Sequence, residues 1–152
     1  MKRSTIIFSL IILLVFNAFS QEIKESEGIY VLNGKPYTGQ YVTQYKNGQV
    51  HVSMMVKEGR KHGRVKIYYE NGQLHEIRSF KRNLMHGTWK MYNPGNQQIS
   101  VAHYRKGQKH GKWKIWNDKG LLLYELRYSN GEKTGTWKSY DEEGNLVSRR
   151  TY

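Results

Sequence analysis

The stretch GKWKIWNDKGLLLYELRYSNGEKT, residues 111–134, decides the fold, because four other stretches match it at a constant interval. Its leading glycine recurs every 24 residues without insertion or deletion. The recurring positions are Gly39, Gly63, Gly87, Gly111 and Gly135, followed two residues later by Tyr41, Val65, Trp89, Trp113 and Trp137. Self-similarity at a fixed period of this length is the signature of a repeat protein.

Each unit is predicted to be a β-hairpin. The pattern Gly-x-Trp-Lys-x-Tyr is short and aromatic, as strands are, and a unit of 24 residues with two such strands leaves no room for an ordinary helix. Turns such as Lys46-Asn47-Gly48 supply residues that tolerate positive φ. In the third unit the turn Asn93-Pro94-Gly95-Asn96 is predicted to be shifted by one residue.

These units predict the fold class and the domain limits. We expect an all-β protein, an elongated antiparallel meander of stacked β-hairpins that forms a single-layer twisted sheet. Five units begin at residues 39, 63, 87, 111 and 135, and a partial leading unit over residues 29–38 caps them. The repeat domain is predicted to span residues 29–152, with a polar linker over residues 21–28.

The units also carry a family resemblance. Tyr69-Glu70-Asn71-Gly72 with His86-Gly87-Thr88-Trp89, and Lys109-His110-Gly111-Lys112-Trp113, resemble the bacterial variant of the MORN repeat found in YwqK-type antitoxin-like proteins. The resemblance covers residues 33–152. It implies an elongated sheet used as a binding or scaffolding surface, without a family-wide catalytic site, and an antitoxin or immunity role is an implication of the resemblance alone.

The first twenty residues are predicted to be a secretory signal peptide. Lys2 and Arg3 precede an apolar run over residues 6–16, and small residues precede Gln21. The competing interpretation is an uncleaved anchor, but eleven residues reach only about 16 Å as a helix, roughly half of a hydrocarbon core. We therefore expect a periplasmic or extracellular protein with no transmembrane segment after cleavage. The chain has no cysteine, so disulfides cannot stabilise it there.

The mature chain is strongly basic, which points to an acidic partner. Subtracting Lys2 and Arg3 from the formal charge of +13 leaves +11. Because residues two apart in a strand share a face, Lys114 lies with Trp116 and opposite Trp113. Stacked units would repeat these residues roughly every 10 Å. The predicted partner-binding stripe consists of Lys66, Tyr68, Lys90, Tyr92, Lys114, Trp116, Lys138 and Tyr140. The alternative is that these lysines only solubilise the sheet.

Other site classes find less support in the sequence. His62, His86 and His110 recur one residue before a leading glycine, but roughly 10 Å between units is too far for shared ligation of zinc, so we expect no metal and no cofactor. A hydrolase built on Glu76 or Glu125 lacks a second unit-matched carboxylate, and we expect both to pair across strands with lysine or arginine. Nucleic acid ranks low because the protein is expected to be exported.

The sequence therefore favours an exported, non-catalytic interaction or scaffold module. A protein partner ranks first and an anionic envelope lipid or glycan second, with a hydrolytic enzyme last.

Overall fold

The computed structural model describes residues 22–152, and the predicted signal peptide over residues 1–20 lies outside the described residues. Every regular element in the described part is a β-strand, which confirms the all-β fold class. Within residues 22–152 no helix is long and apolar enough to cross a membrane. The strands form a small three-stranded sheet followed by a large open sheet of 13 strands in meander order.

The strand bounds follow the 24-residue period. In chain order the strands are β1 Ile23–Ser26, β2 Ile29–Leu32, β3 Lys35–Pro36, β4 Gly39–Gln44, β5 Val50–Lys57, β6 Arg60–Tyr68, β7 Leu74–Lys81, β8 Leu84–Met85, β9 Gly87–Tyr92, β10 Gln98–Arg105, β11 Gln108–Lys109, β12 Gly111–Trp116, β13 Leu122–Ser129, β14 Glu132–Lys133, β15 Thr136–Tyr140 and β16 Leu146–Thr151.

Each unit contains one long hairpin with a bulge near its turn. In the third unit β9 pairs with β10 from Gly87↔Tyr104 to Met91↔Ser100, and the register then shifts by one residue. The same shift occurs in the other four hairpins, which leaves one extra residue on each second strand. Such bulges increase the local twist of a sheet, so a bulge in every unit makes the whole array twist regularly.

At the last three unit boundaries the strands pair only at their centres, whereas β5 and β6 at the first boundary pair along most of their length. For example, β10 and β12 share the pairs Ser100↔Ile115 and Val101↔Lys114, after which the short strand β11 pairs with the end of β10. The chain bends away at Gly111, whose φ of 71° favours glycine. The indole Nε1 of Trp113 donates across this gap to the carbonyl of His103 at 3.0 Å. Trp89 and Trp137 make the equivalent bonds to Ser79 and Arg127.

The turn of the third unit corrects one expectation. The amide of Asn96 donates to the carbonyl of Asn93 at 2.9 Å, as Gly72 does to Tyr69 in the unit before. Asn96 has a φ of 62°, whereas Gly95 is not among the residues with positive φ. The prediction of a shifted turn was therefore wrong, because asparagine tolerates the left-handed conformation and replaces glycine in register.

The small sheet caps the first units and covers the best-buried residues. Strand β1 pairs along its whole length with β2, so the segment expected as a linker over residues 21–28 contributes a strand. Tyr30 on β2 is buried together with Met54, Val56 and Val65. Beyond this cluster the array is a single layer, in which most side chains are only half-buried. Apolar burial explains β1, because Ile23 packs against the cluster.

Candidate binding surface

The large sheet has two distinct faces, which the cross-strand register defines, because directly opposed residues point to the same side. Trp113 opposes Leu126, and the face that carries it is called here the tryptophan face. Lys114 opposes Glu125 on the other side, which is called the lysine face.

The predicted lysines form one straight row across the lysine face. Lys66 opposes Ile77, which opposes Lys90 in the next unit. The register continues through Val101 to Lys114 and through Glu125 to Lys138. The structure thus places all four lysines at equivalent positions of every second strand, along a line perpendicular to the strands.

The predicted aromatic residues lie two positions further along the same strands. Their partners after the bulge are Leu74, Gln98, Leu122 and Leu146, so this second row is at the turn end of the lysine face. All four rings are half-buried. The members of this row are Tyr68, Tyr92, Trp116 and Tyr140.

The lysine row is not neutralised by nearby carboxylates. Across residues 22–152 no lysine nitrogen lies within 4.0 Å of a carboxylate oxygen, and the three basic side chains at that distance are one histidine and two arginines. Glu125 opposes both Lys114 and Lys138 in register without such a contact. Glu76 bonds Arg78 two residues away in its own strand. The expectation that both glutamates pair across strands was therefore wrong.

The tryptophan face carries a continuous aromatic ladder, which the predicted stripe does not include. Trp113 packs between Tyr104 and Tyr128, with ring centroids at 5.2 and 5.1 Å. Ring planes are tilted rather than parallel, the arrangement that aromatic quadrupoles prefer. The ladder runs unbroken through Phe80, Trp89, Tyr104, Trp113, Tyr128, Trp137 and Tyr152.

Cationic side chains lie over this ladder. Lys109 Nζ is 5.0 Å from the ring centroid of Trp113 and 4.9 Å from that of Tyr128. Lys133 occupies the equivalent place between Trp137 and Tyr152. Both lysines precede a leading glycine by two residues, as Lys61 does, so their 24-residue spacing was a signal available in the sequence. Burial raises the pKa of Tyr104 above its usual value, which keeps this phenol neutral in the ladder.

Within residues 22–152 no group of three His, Cys, Asp or Glu side chains is arranged to hold a metal ion. The one buried carboxylate in the described part, Glu76, is paired with Arg78.

One family comparison bears on this surface. The family model described as the MORN repeat variant matches residues 61–82 and 133–152. The first segment lies over β6 and β7, and the second covers the last three strands. No curated protein matches the chain. The match indicates a repeat-based binding or scaffold module, in a family that is generally non-catalytic.

Proposed function

We propose that this protein is an exported interaction module that binds an acidic protein partner through the lysine face. The observation that carries the proposal is the register row of Lys66, Lys90, Lys114 and Lys138, which no carboxylate within 4.0 Å neutralises in the described part. A row that carries four cations and one carboxylate, Glu125, attracts a complementary acidic surface and orients it. Tyr68, Tyr92, Trp116 and Tyr140 beside it add apolar contact area of the kind that enriches interfaces.

The tryptophan face supports the proposal by contrast. Its cations Lys109 and Lys133 already lie over aromatic rings of the array. Contacts of this kind stabilise the repeat stack itself by about 0.5–1 kcal/mol each at exposed sites. The lysine face is therefore the side whose charge is free for a partner.

An anionic envelope lipid or glycan is the second candidate. The formal charge of +13 favours any anionic surface. The resemblance to antitoxin-like proteins favours a protein partner instead, and an immunity-like role rests on that resemblance alone.

The test compares partner capture by two charge-matched variants. Changing Lys66, Lys90, Lys114 and Lys138 to glutamine should weaken binding about tenfold, since four exposed pairs at about 0.4 kcal/mol each correspond to that factor. The salt dependence of binding should also flatten. The control changes the exposed Lys35, Lys46, Lys57 and Lys119 to glutamine and should keep wild-type affinity.

The capture uses the mature protein on beads with envelope extract, quantified by mass spectrometry at low and high salt. Equal loss of binding in both variants would show that net charge rather than the row attracts the partner. Recovery of lipid or polysaccharide without protein would favour the second candidate.

Export has its own test. The mature N-terminus is expected at Gln21, because Lys2, Arg3 and the apolar run precede small residues there. Mass spectrometry of the protein recovered from the periplasm or medium measures this directly. Intact Met1 in a membrane pellet would reject cleavage.

A further inference from the structure

A cleft between the third and fourth units gathers three histidines that the lysine row does not include. It has a volume of about 490 Å³ and is lined by His86, His103, His110, Arg105 and Lys112, with Tyr104, Gly87 and Gly111. We call it the histidine cleft. His103 and Lys112 belong to the lysine face. His103 lies two residues after Val101, Lys112 lies two residues before Lys114, and both Val101 and Lys114 are members of the lysine row's register.

Within residues 22–152, this is the only unit boundary with three histidines. His103 packs over the bare backbone of Gly111, where an added Cβ would be 3.5 Å from the His103 Cβ. Ser79 lies over Gly87 and Arg127 over Gly135 in the equivalent places. Thr134 stands where His110 does in the following unit. Other units therefore carry side chains other than histidine at the positions equivalent to His103 and His110.

The imidazole rings of the cleft can donate hydrogen bonds. Nδ1 of His86 accepts from the backbone amide of Lys106 at 3.4 Å, so the neutral ring carries its proton on Nε2. Nδ1 of His103 lies 3.3 Å from the Thr88 hydroxyl, which can accept from it when the ring is protonated. Nδ1 of His110 is buried and has no hydrogen-bond partner within residues 22–152.

The charges around the cleft are all of one sign. Arg105 and Lys112 are cationic, and no aspartate or glutamate lines the cleft. Arg127 opposes Lys112 in register and adds a further cation on the same face. Unpaired cations and imidazole donors together suit a small multivalent anion.

We propose that the histidine cleft binds a tetrahedral oxyanion, the phosphate or sulfate group of an ester, more tightly at mildly acidic pH. Arg105 and Lys112 supply the permanent positive charge of the cleft. Histidine is the side chain whose charge ordinarily changes between about pH 5 and pH 8. The site is separate from the lysine row, so it does not depend on the proposed protein partner.

The probe is inorganic sulfate, whose charge stays constant over this pH range, titrated into the isotopically labelled mature protein and followed by amide chemical shifts. Sodium chloride at matched ionic strength is the reference. Saturable shifts at Gly87, His103 and Gly111 are expected with sulfate, and the affinity should be roughly tenfold higher at about pH 5.5 than at about pH 8. Inorganic phosphate takes up a proton and loses negative charge as the pH falls through this range, so it should show a smaller pH effect than sulfate.

The matched variant combines His103→Ser with His110→Thr, the side chains that the chain itself uses at Ser79 and Thr134. Sulfate affinity should fall about tenfold and lose its pH dependence. The control variant His51→Gln removes a histidine that packs against the ring of Tyr45 near the turn, and should bind like wild type. The four-lysine glutamine variant should also retain sulfate binding, which separates this site from the proposed function.

If the double variant unfolds, Arg105→Gln with Lys112→Gln tests the same site through its exposed cations. Two results would overturn the proposal. One is an identical response to sulfate and chloride at matched ionic strength, which would show that the shifts come from diffuse ionic screening and not from a binding site. The other is unchanged sulfate affinity in a folded cleft variant.

Discussion

At the scale of single residues, the turn position nine residues after each leading glycine needs a left-handed backbone. Asn96 takes this conformation with a φ of 62°, and Gly95 beside it does not need it. Asn96→Ala should therefore destabilise the protein by about 1 kcal/mol, whereas Asn96→Gly should be neutral or slightly stabilising. Thermal unfolding followed by circular dichroism measures both variants.

Gly95→Ala is the matched control for this turn and should change stability by less than about 0.5 kcal/mol. The opposite order, with Gly95→Ala the more damaging change, would place the turn one residue earlier and contradict the described register.

Asp141 gives the last hairpin a dependence on pH. Hydrogen bonds from the Asn145 side chain and amide, and from the amide of Glu143, hold the pKa of Asp141 below the ordinary 3.8. A carboxylate with a lowered folded-state pKa contributes stability above its unfolded pKa and loses it as the pH falls through the folded value. Acidification below about pH 4 should therefore loosen the turn between β15 and β16.

Amide hydrogen exchange at Glu143 and Asn145 between about pH 2 and pH 5, corrected for intrinsic rates, measures this loosening. Asp141→Asn should remove the pH dependence and keep the turn, because Asn93 and Asn117 accept the same bonds in the third and fourth units. Equal acid sensitivity in the variant would assign the effect to another group.

At the scale of strands and hairpins, the indole hydrogen bonds join units where strand pairing has opened. Trp113→Phe keeps the ring in the aromatic ladder but removes the donor to the His103 carbonyl, so it should cost about 1 kcal/mol. Trp137→Phe, at the last unit, removes the equivalent bond to Arg127 and should cost the same or less. Chemical denaturation measures both.

Trp116→Phe is the matched control, since Trp116 lies on the lysine face at the end of β12. It should change the free energy of unfolding by less than about 0.5 kcal/mol. A loss at Trp116 as large as at Trp113 would show that ring volume, rather than the bond to the carbonyl, stabilises the unit boundary.

At the scale of the whole molecule, the array behaves as a stack of nearest-neighbour interfaces. Deleting residues 87–110, one complete unit, joins His86 to Gly111. The new junction has the His-Gly sequence that both original junctions had. We expect a shorter folded sheet that unfolds cooperatively, at a lower temperature. Deleting residues 87–98 removes half of a hairpin and should abolish folding. Far-ultraviolet circular dichroism with thermal melting distinguishes the two, and equal unfolding of both deletions would contradict the repeat description.

The sequence by itself determined the features that repeat. The 24-residue period predicted the hairpins, and the alternation along Gly-x-Trp-Lys-x-Tyr placed Lys66, Lys90, Lys114 and Lys138 on one side. These predictions succeeded because turn chemistry and the two-residue strand period are local properties of the sequence. Since the unit length is constant, the same local structure recurs in every unit.

Only the tertiary structure decided how neighbouring units meet. The strand at Ile23–Ser26 depends on its contacts with the cap and the buried cluster, and the position of Lys109 over Trp113 depends on a contact between two units. His86, His103 and His110 share a cleft because β9, β10 and β12 are adjacent and the chain bends at Gly87 and Gly111. No local pattern in the chain records that adjacency, since cleft geometry arises from bending and register between units.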